Sequence, residues 1–161
     1  MNRCPVPARA SYRDLLRDLL GRAVTVRPGP AQQLTEDAPS YLACYRFDDG
    51  EVAAVAVADL SLGTAAGGAI GMMPPAEARA EVAEAGKLDG DILEFFQEVV
   101  NVAAKLLNSP STPHVVLREV LTVPGEVPED LAEVVLQPRV REDWRVDVDG
   151  YGDGAVTLLH P

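Results

Sequence analysis

The sequence predicts an α+β fold, in which a mostly antiparallel sheet of about five or six strands packs with two or three helices. Two pairs of β-rich runs are each joined by a short segment rich in Gly and Asp, a pattern typical of β-hairpins. A long segment after residue 91 carries apolar residues at helical spacing. Because helices and hairpins do not alternate strictly along the chain, a doubly wound α/β fold is not predicted.

The length and hydrophobicity of the chain predict one domain. The sequence has 161 residues, 47% of them hydrophobic, which is enough to bury a core. We therefore expect a single domain over residues 1–161, with residues 1–10 flexible. Cys4 and Cys44 are the two cysteines, and their wide spacing predicts neither a disulfide framework nor a zinc site.

The charge balance is strongly acidic. Lys and Arg contribute 14 positive charges and Asp and Glu 25 negative ones, a formal net charge of -11. Such a surface repels nucleic acid and anionic membranes, and it attracts basic partners. Because the sequence has no signal peptide and no apolar stretch of roughly 18 residues, we expect a cytoplasmic protein.

The first half of the chain predicts a helix, a short strand and a hairpin. Leucines at helical spacing precede Gly21, which is placed to stop the helix, and residues 48–50 form the hairpin turn. In chain order, the predicted elements are a helix over 11–20, a strand over 24–26, a loop over 28–40 and strands over 41–47 and 52–57.

The second half contains a glycine-rich segment, the major helix and a closing hairpin. The glycines of residues 60–73 do not form GxGxxG, so a nucleotide-binding loop is not predicted. Asp91 followed by Glu94 fits a capping box at the start of the major helix. The predicted elements are helices over 60–73, 75–85, 92–107 and 129–134, a strand over 115–123 that ends at Pro124, and strands over 140–148 and 155–159.

The two sides of the major helix differ in polarity. Phe95, Phe96, Val99 and Val100 belong to the apolar side, which we expect to be core. The polar residues are spaced at threes and fours, which places them on one exposed stripe. They are Glu94, Gln97, Glu98, Asn101, Lys105 and Asn108.

The polar stripe has two interpretations. Every amphipathic helix has a solvated face, and this explains the spacing without any function. Two details favour a functional site. Asn101 stands mid-helix, where Asn is disfavoured, and Glu94 and Glu98 are like charges one turn apart.

Glu98 and Asn101 form an E-x-x-N pattern that is followed, after twenty-two residues, by Pro124. On this pattern the sequence resembles the CheC/CheX/FliY family of chemotaxis phosphatases, and the order of helices and hairpins is similar over most of the chain. The resemblance implies the fold of that family. We expect Pro124 to be a structural marker at a strand end.

The sequence departs from the family pattern at two places, and it carries the pattern once. Glu94 stands where the family usually has Asp or Ser, and residues 102–105 replace a Gly that often follows the motif Asn. CheC-like members carry a second E-x-x-N on the first helix. Here that helix offers Asp14 and Asp18 but no Asn, so one site is expected, as in CheX-like members.

The resemblance implies a hydrolase that removes the phosphoryl group from the aspartyl phosphate of a CheY-like response regulator. Asn101 would hold the attacking water, and Glu98 would pair with the receiver's lysine. No cofactor is expected on this chain, since the receiver supplies the magnesium ion. CheX-like relatives also suggest a homodimer.

Other functions are weighed against this one. The main alternative is a catalytically silent domain of the same fold that binds a receiver, a CheD-like partner or a motor component. A small-ligand sensor is a third candidate, which requires a sizeable apolar pocket. His114 and His160 lie far apart in the sequence, so neither a metal cluster nor a Ser-His-Asp set is predicted.

Overall fold

A six-stranded antiparallel sheet organises the part of the chain that the computed structural model describes, residues 4–161. The strands are β1 Val24–Pro28, β2 Ser40–Phe47, β3 Val52–Asp59, β4 Val115–Val123, β5 Val140–Val148 and β6 Gly152–His160. Their order across the sheet is β1-β5-β6-β3-β2-β4, which makes β1 and β4 its edges. The predicted α+β fold and the number of strands are confirmed.

Residues 4–161 contain five α-helices, whereas two or three were expected to pack with the sheet. They are α1 Arg9–Leu20, α2 Leu60–Ile70, α3 Pro75–Ala85, α4 Gly90–Ala103 and α5 Glu129–Leu136. A 3₁₀ turn, Ala104–Leu107, continues α4. Three of the α-helices, α1, α2 and α4, pack on one face of the sheet, α5 covers the opposite face, and α3 packs on α2.

The central strand β3 supplies side chains to both faces of the sheet, because successive residues of a strand point in opposite directions. Ala54, Ala56 and Ala58 belong to the larger core, which also contains residues of α1, α2 and α4. Val55 and Val57 belong to a smaller core beneath α5. The alanines occupy little space, so the helices can pack close to the sheet.

Helix α2 lies deep in the larger core, in contact with α4. A Cβ on Gly67 would lie 2.9 Å from the backbone oxygen of Ile92, so this crossing requires a residue without a side chain. Residues of α2 from Leu62 to Ala69 are all buried. This close approach fixes the N-terminal half of α4 against the rest of the fold.

The chain before α1 is packed where the structure describes it. Residues 1–3 of the segment expected to be flexible lie outside the described residues. Cys4 and Pro7 are buried, and α1 begins at Arg9. No helix within residues 4–161 is both long enough and apolar enough to cross a membrane.

Candidate functional site

Helix α4 begins one residue before the predicted capping residue. Its N-cap is Asp89, whose side chain makes no capping hydrogen bond, and Gly90 has φ 54°, a left-handed value that glycine adopts without strain. The predicted capping box is therefore wrong, because Asp91 lies inside the first turn. Glu94 has no capping role, and it lines a surface cleft instead.

The apolar side of α4 is core, as predicted, except at its margin. Phe96, Val99 and Val100 are buried. Phe95 is only half-buried, and its ring lies against the backbone of Gly71 at the end of α2. Since successive helical residues are turned by about 100°, Phe95 lies beside the buried stripe and not at its centre.

The outward side of α4 carries the residues of the E-x-x-N pattern. Glu94, Glu98 and Asn101 are exposed, as predicted. Within the described part of the chain, the side chains of Glu98 and Asn101 make no hydrogen bond or ion pair to other residues. Both polar groups are therefore available to a partner.

A cleft of about 410 Å³ separates the outward side of α4 from the edge strand β4. Its lining consists of Glu94, Gln97, Glu98 and Asn101 from the helix and Leu117, Arg118, Glu119 and Val120 from the strand. A second cleft, of about 390 Å³, continues past Asn101 towards Lys105 and His114. Asn101 thus lies where the two clefts meet.

Tyr45 of β2 ties the two walls of the cleft together. Its hydroxyl donates a buried hydrogen bond of 2.6 Å to the backbone oxygen of Val100, the residue before Asn101. Its backbone pairs with Leu117 on the opposite wall. Burial raises the pKa of Tyr45 well above its usual value, so the hydroxyl keeps its proton and remains a donor.

Asn108 joins the end of the helical segment to the start of β4. Its side-chain nitrogen donates to the oxygens of Ala104 and Val115, both at 2.9 Å, and its side-chain oxygen accepts from the Val115 nitrogen at 2.9 Å. The prediction that Asn108 belongs to the exposed stripe is therefore wrong. The helix tightens into a 3₁₀ turn at Ala104, which turns Asn108 towards the strand.

Pro124 follows the last residue of β4, after a cis peptide bond. The seven residue-to-residue steps from Leu117 to Pro124 span about 23 Å along a strand. Pro124 is exposed and is not among the described residues that line the cleft. It marks a strand end, as predicted, at a distance from the E-x-x-N pair.

The sequence analysis did not identify Tyr45 or Arg118 as residues of the site. In the sequence, nothing distinguishes Tyr45 from the other aromatic residues of the hairpin strand. Its hydrogen bond with Val100 joins residues that are 55 positions apart. Arg118 interrupts the otherwise apolar start of β4. That interruption is the one signal in the sequence that could have drawn attention to it.

The other candidate reactive groups lie outside the cleft. Burial raises the pKa of the Cys4 thiol to about 11 and that of the Cys44 thiol to about 12, so both stay protonated near neutral pH. His160 is buried, and this lowers its pKa. Among residues 4–161, no group of three or more His, Cys, Asp or Glu is placed to hold a metal ion.

Solved structures of a FliM middle domain, a FliY and a CheX share the fold of this chain. The FliM middle domain from H. pylori is 10% identical, with 95% of this chain and 84% of that one covered and a TM-score of 0.63. Thermotoga maritima FliY is 14% identical, with 96% and 84% covered and a TM-score of 0.60. CheX from Borrelia burgdorferi, in its complex with CheY, BeF3 and Mg²⁺, is 11% identical, with 92% of both chains covered and a TM-score of 0.51.

These likenesses establish the fold and not the function. No protein-family model matches the sequence, and no curated protein matches it significantly. The fold implied by the resemblance to the CheC/CheX/FliY proteins is confirmed.

Proposed function

We propose that the chain is a CheX-like phosphatase that hydrolyses the aspartyl phosphate of a CheY-like response regulator in the cytoplasm. The observation that carries the proposal is the exposure of Glu98 and Asn101, unpaired within the described residues, on one wall of a cleft. The buried hydrogen bond of Tyr45 and the partly buried hydrogen bonds of Asn108 hold that wall in place. The likeness in fold to a CheX that is in complex with CheY supports the same function.

Asn101 positions the attacking water in this proposal. Its amide oxygen accepts a hydrogen bond from a water that stands in line with phosphorus. The water oxygen bonds to phosphorus, the bond from phosphorus to the aspartyl oxygen breaks, and the electron pair leaves with the carboxylate. The water proton ends on the released phosphate. Phosphoryl transfer depends on positioning and electrostatics, so an amide suffices for this role.

Glu98 docks the partner in this proposal. Its carboxylate, one turn before Asn101, pairs with the receiver's lysine and so places the helix over the phosphoryl group. Glu94, released from the capping role, extends the same acidic surface. The magnesium ion belongs to the receiver, and this chain contributes no cofactor.

The proposal is tested by mixing the protein with receivers that carry an aspartyl phosphate and following the loss of the phosphoryl group. The parent should accelerate the loss for at least one receiver of the host. Asn101→Ala should slow that acceleration about a hundredfold, the scale expected when a positioning group is removed. Gln137→Ala removes an exposed amide at the end of α5, outside the cleft, and should act like the parent. An Asn101→Ala variant as fast as the parent would refute the mechanism.

A catalytically silent interaction domain is the second candidate. The likeness to the FliM middle domain favours it, because FliM from H. pylori is also seen in complexes with FliG and with SpeE. A chain that binds receivers, a CheD-like partner or a motor component without accelerating hydrolysis would support this candidate.

The expected homodimer stays a prediction, which sedimentation would check. The hypothesis of a small-ligand sensor receives little support, because the apolar cavity between α1 and α4 has a volume of about 30 Å³, which is room for one or two waters.

A further inference from the structure

A β-bulge lies in the strand wall of the cleft. Tyr45 pairs with Leu117, and the preceding residue Cys44 pairs with Glu119, so Arg118 has no residue opposite it on β2. A bulge inserts one extra residue into a strand and re-aims side chains, and bulges occur often beside active sites. Arg118 is exposed, and it lines the cleft together with Glu98 and Asn101.

Arg118 also stands out by its charge. The helix wall of the cleft carries two carboxylates, those of Glu94 and Glu98, and among the described lining residues Arg118 is the one cation. No ion pair within the described part of the chain involves Arg118. Its guanidinium group is therefore free to bind an anion that enters the cleft.

We propose that Arg118 binds the oxygens of the aspartyl phosphate when the receiver docks, an inference that rests on the proposed function. A phosphoryl group that enters a cleft beside the carboxylates of Glu94 and Glu98 is repelled unless a cation lies beside it. The planar guanidinium fork matches two phosphoryl oxygens at once and keeps its charge at every physiological pH. Asn101 orients the water from the helix, while Arg118 holds the phosphoryl oxygens from the strand.

This arrangement also makes Arg118 a specificity residue. A receiver without its phosphoryl group offers Arg118 no phosphoryl oxygens, so the bond to them forms only with the phosphorylated partner. Arg118 therefore contributes to the preference for the phosphorylated form as well as to the rate. Charge in the transition state is spread over the same oxygens, and an arginine there stabilises it.

The test compares Arg118→Ala, Arg118→Lys and a control, Arg139→Ala, in two assays. Arg139 is an exposed arginine directly before β5, which is separated from β4 by three strands in the sheet. Its removal changes the net charge by the same amount as the removal of Arg118. The first assay measures affinity for a receiver loaded with BeF3 and Mg²⁺ and for the same receiver unloaded. The second follows hydrolysis of the aspartyl phosphate.

We expect Arg118→Ala to weaken binding of the loaded receiver by about tenfold to a hundredfold, the range for a hydrogen bond to a charged group. Its affinity for the unloaded receiver should stay within about twofold of the parent's. Hydrolysis should fall by at least as much as the binding of the loaded form. Arg118→Lys should recover part of both losses, since it restores the charge but not the fork. Arg139→Ala should match the parent.

The outcomes separate this inference from the proposed function. If Arg118→Ala keeps the parent's preference and rate while Asn101→Ala loses activity, the inference is wrong and the phosphatase stands. If no receiver is hydrolysed but Arg118→Ala still abolishes the preference for the loaded form, the phosphatase is wrong and the anion site stands. If the parent neither hydrolyses nor prefers the loaded form, both are wrong.

Discussion

Helices α1 and α4 occupy corresponding places in the fold, yet their exposed surfaces differ. Each helix precedes an edge strand, and each edge strand pairs with the first strand of a hairpin, β1 with β5 and β4 with β2. On α1, the carboxylate of Asp14 lies 3.0 Å from Arg13 and 3.3 Å from Arg17. On α4, Glu94 and Glu98 have no such partner within the described residues.

This difference explains why the candidate site lies beside α4 and not beside α1. The charges of α1 offset one another within the helix, so they offer a partner little net field. The two carboxylates of α4 are not offset, and Asn101 lies one turn beyond them. The scaffold around the two helices is therefore similar, while the unpaired charges available to a partner lie on α4 and on the wall of β4 that faces it.

The largest effect on stability is expected from substitutions on the buried sides of α1 and α4, where the two helices are alike. Phe96→Ala on α4 should lower the free energy of unfolding by about 3 to 5 kcal/mol, and Leu16→Ala on α1 by about 2 to 5 kcal/mol, because both side chains are fully buried. Denaturant melts would measure both. Phe95→Ala should cost less, since its ring is half-buried. A loss below about 1 kcal/mol for Phe96→Ala would mean that the buried side of α4 is wrongly assigned.

Tyr45→Phe should affect the site on α4 more than the matched variant affects α1, because it removes the hydroxyl that holds α4 beside the cleft. The variant leaves the Val100 oxygen without that donor, which should cost about 1 to 2 kcal/mol in thermal or chemical melts. Phosphatase activity should fall as well, since Asn101 follows Val100. Tyr12→Phe on α1 is the matched control, as no hydrogen bond of the Tyr12 hydroxyl is found within the described residues. Equal losses for both variants would remove Tyr45 from the support of the site.

The sequence predicted the helices and strands around α1 and around α4, but not the contacts between these elements. The bounds of β4 and β5 match the predicted strands, because Pro124 follows the first and the turn residues Asp149 and Gly150 follow the second. The exposure of Glu98 and Asn101 followed from helical periodicity. The bulge at Arg118 and the bond from Tyr45 depend on the register between β2 and β4, which local patterns do not encode. The capping box failed because Gly90 starts the helix early.

Glu98→Lys should weaken binding of the receiver, and Asp18→Lys on α1 should not, although both variants change the charge equally. We expect a loss of about tenfold at low salt for Glu98→Lys, which shrinks at high salt because mobile ions screen exposed charges. Titrations at two ionic strengths would measure it. Affinity at low salt equal to the parent's would place Glu98 outside the interface.

Asn101→Ala should have the smallest effect on stability. Its side chain is exposed and makes no hydrogen bond within the described residues, and Ala is favoured over Asn in a helix by roughly 0.6 kcal/mol. The variant should therefore melt at the parent's denaturant concentration or slightly above it. Clear destabilisation would indicate a structural role for Asn101, and any loss of activity could then not be assigned to the water.

The central claim is tested most directly by single-turnover dephosphorylation of one receiver with two double variants. Glu98→Gln with Asn101→Ala alters the α4 surface, and Asp14→Asn with Asp18→Ala alters the corresponding surface of α1. We predict that the α4 variant leaves only the receiver's own rate of hydrolysis, while the α1 variant stays within about twofold of the parent. Parent-like hydrolysis by the α4 variant, or an equal loss in both, would contradict a site that depends on the exposed surface of α4.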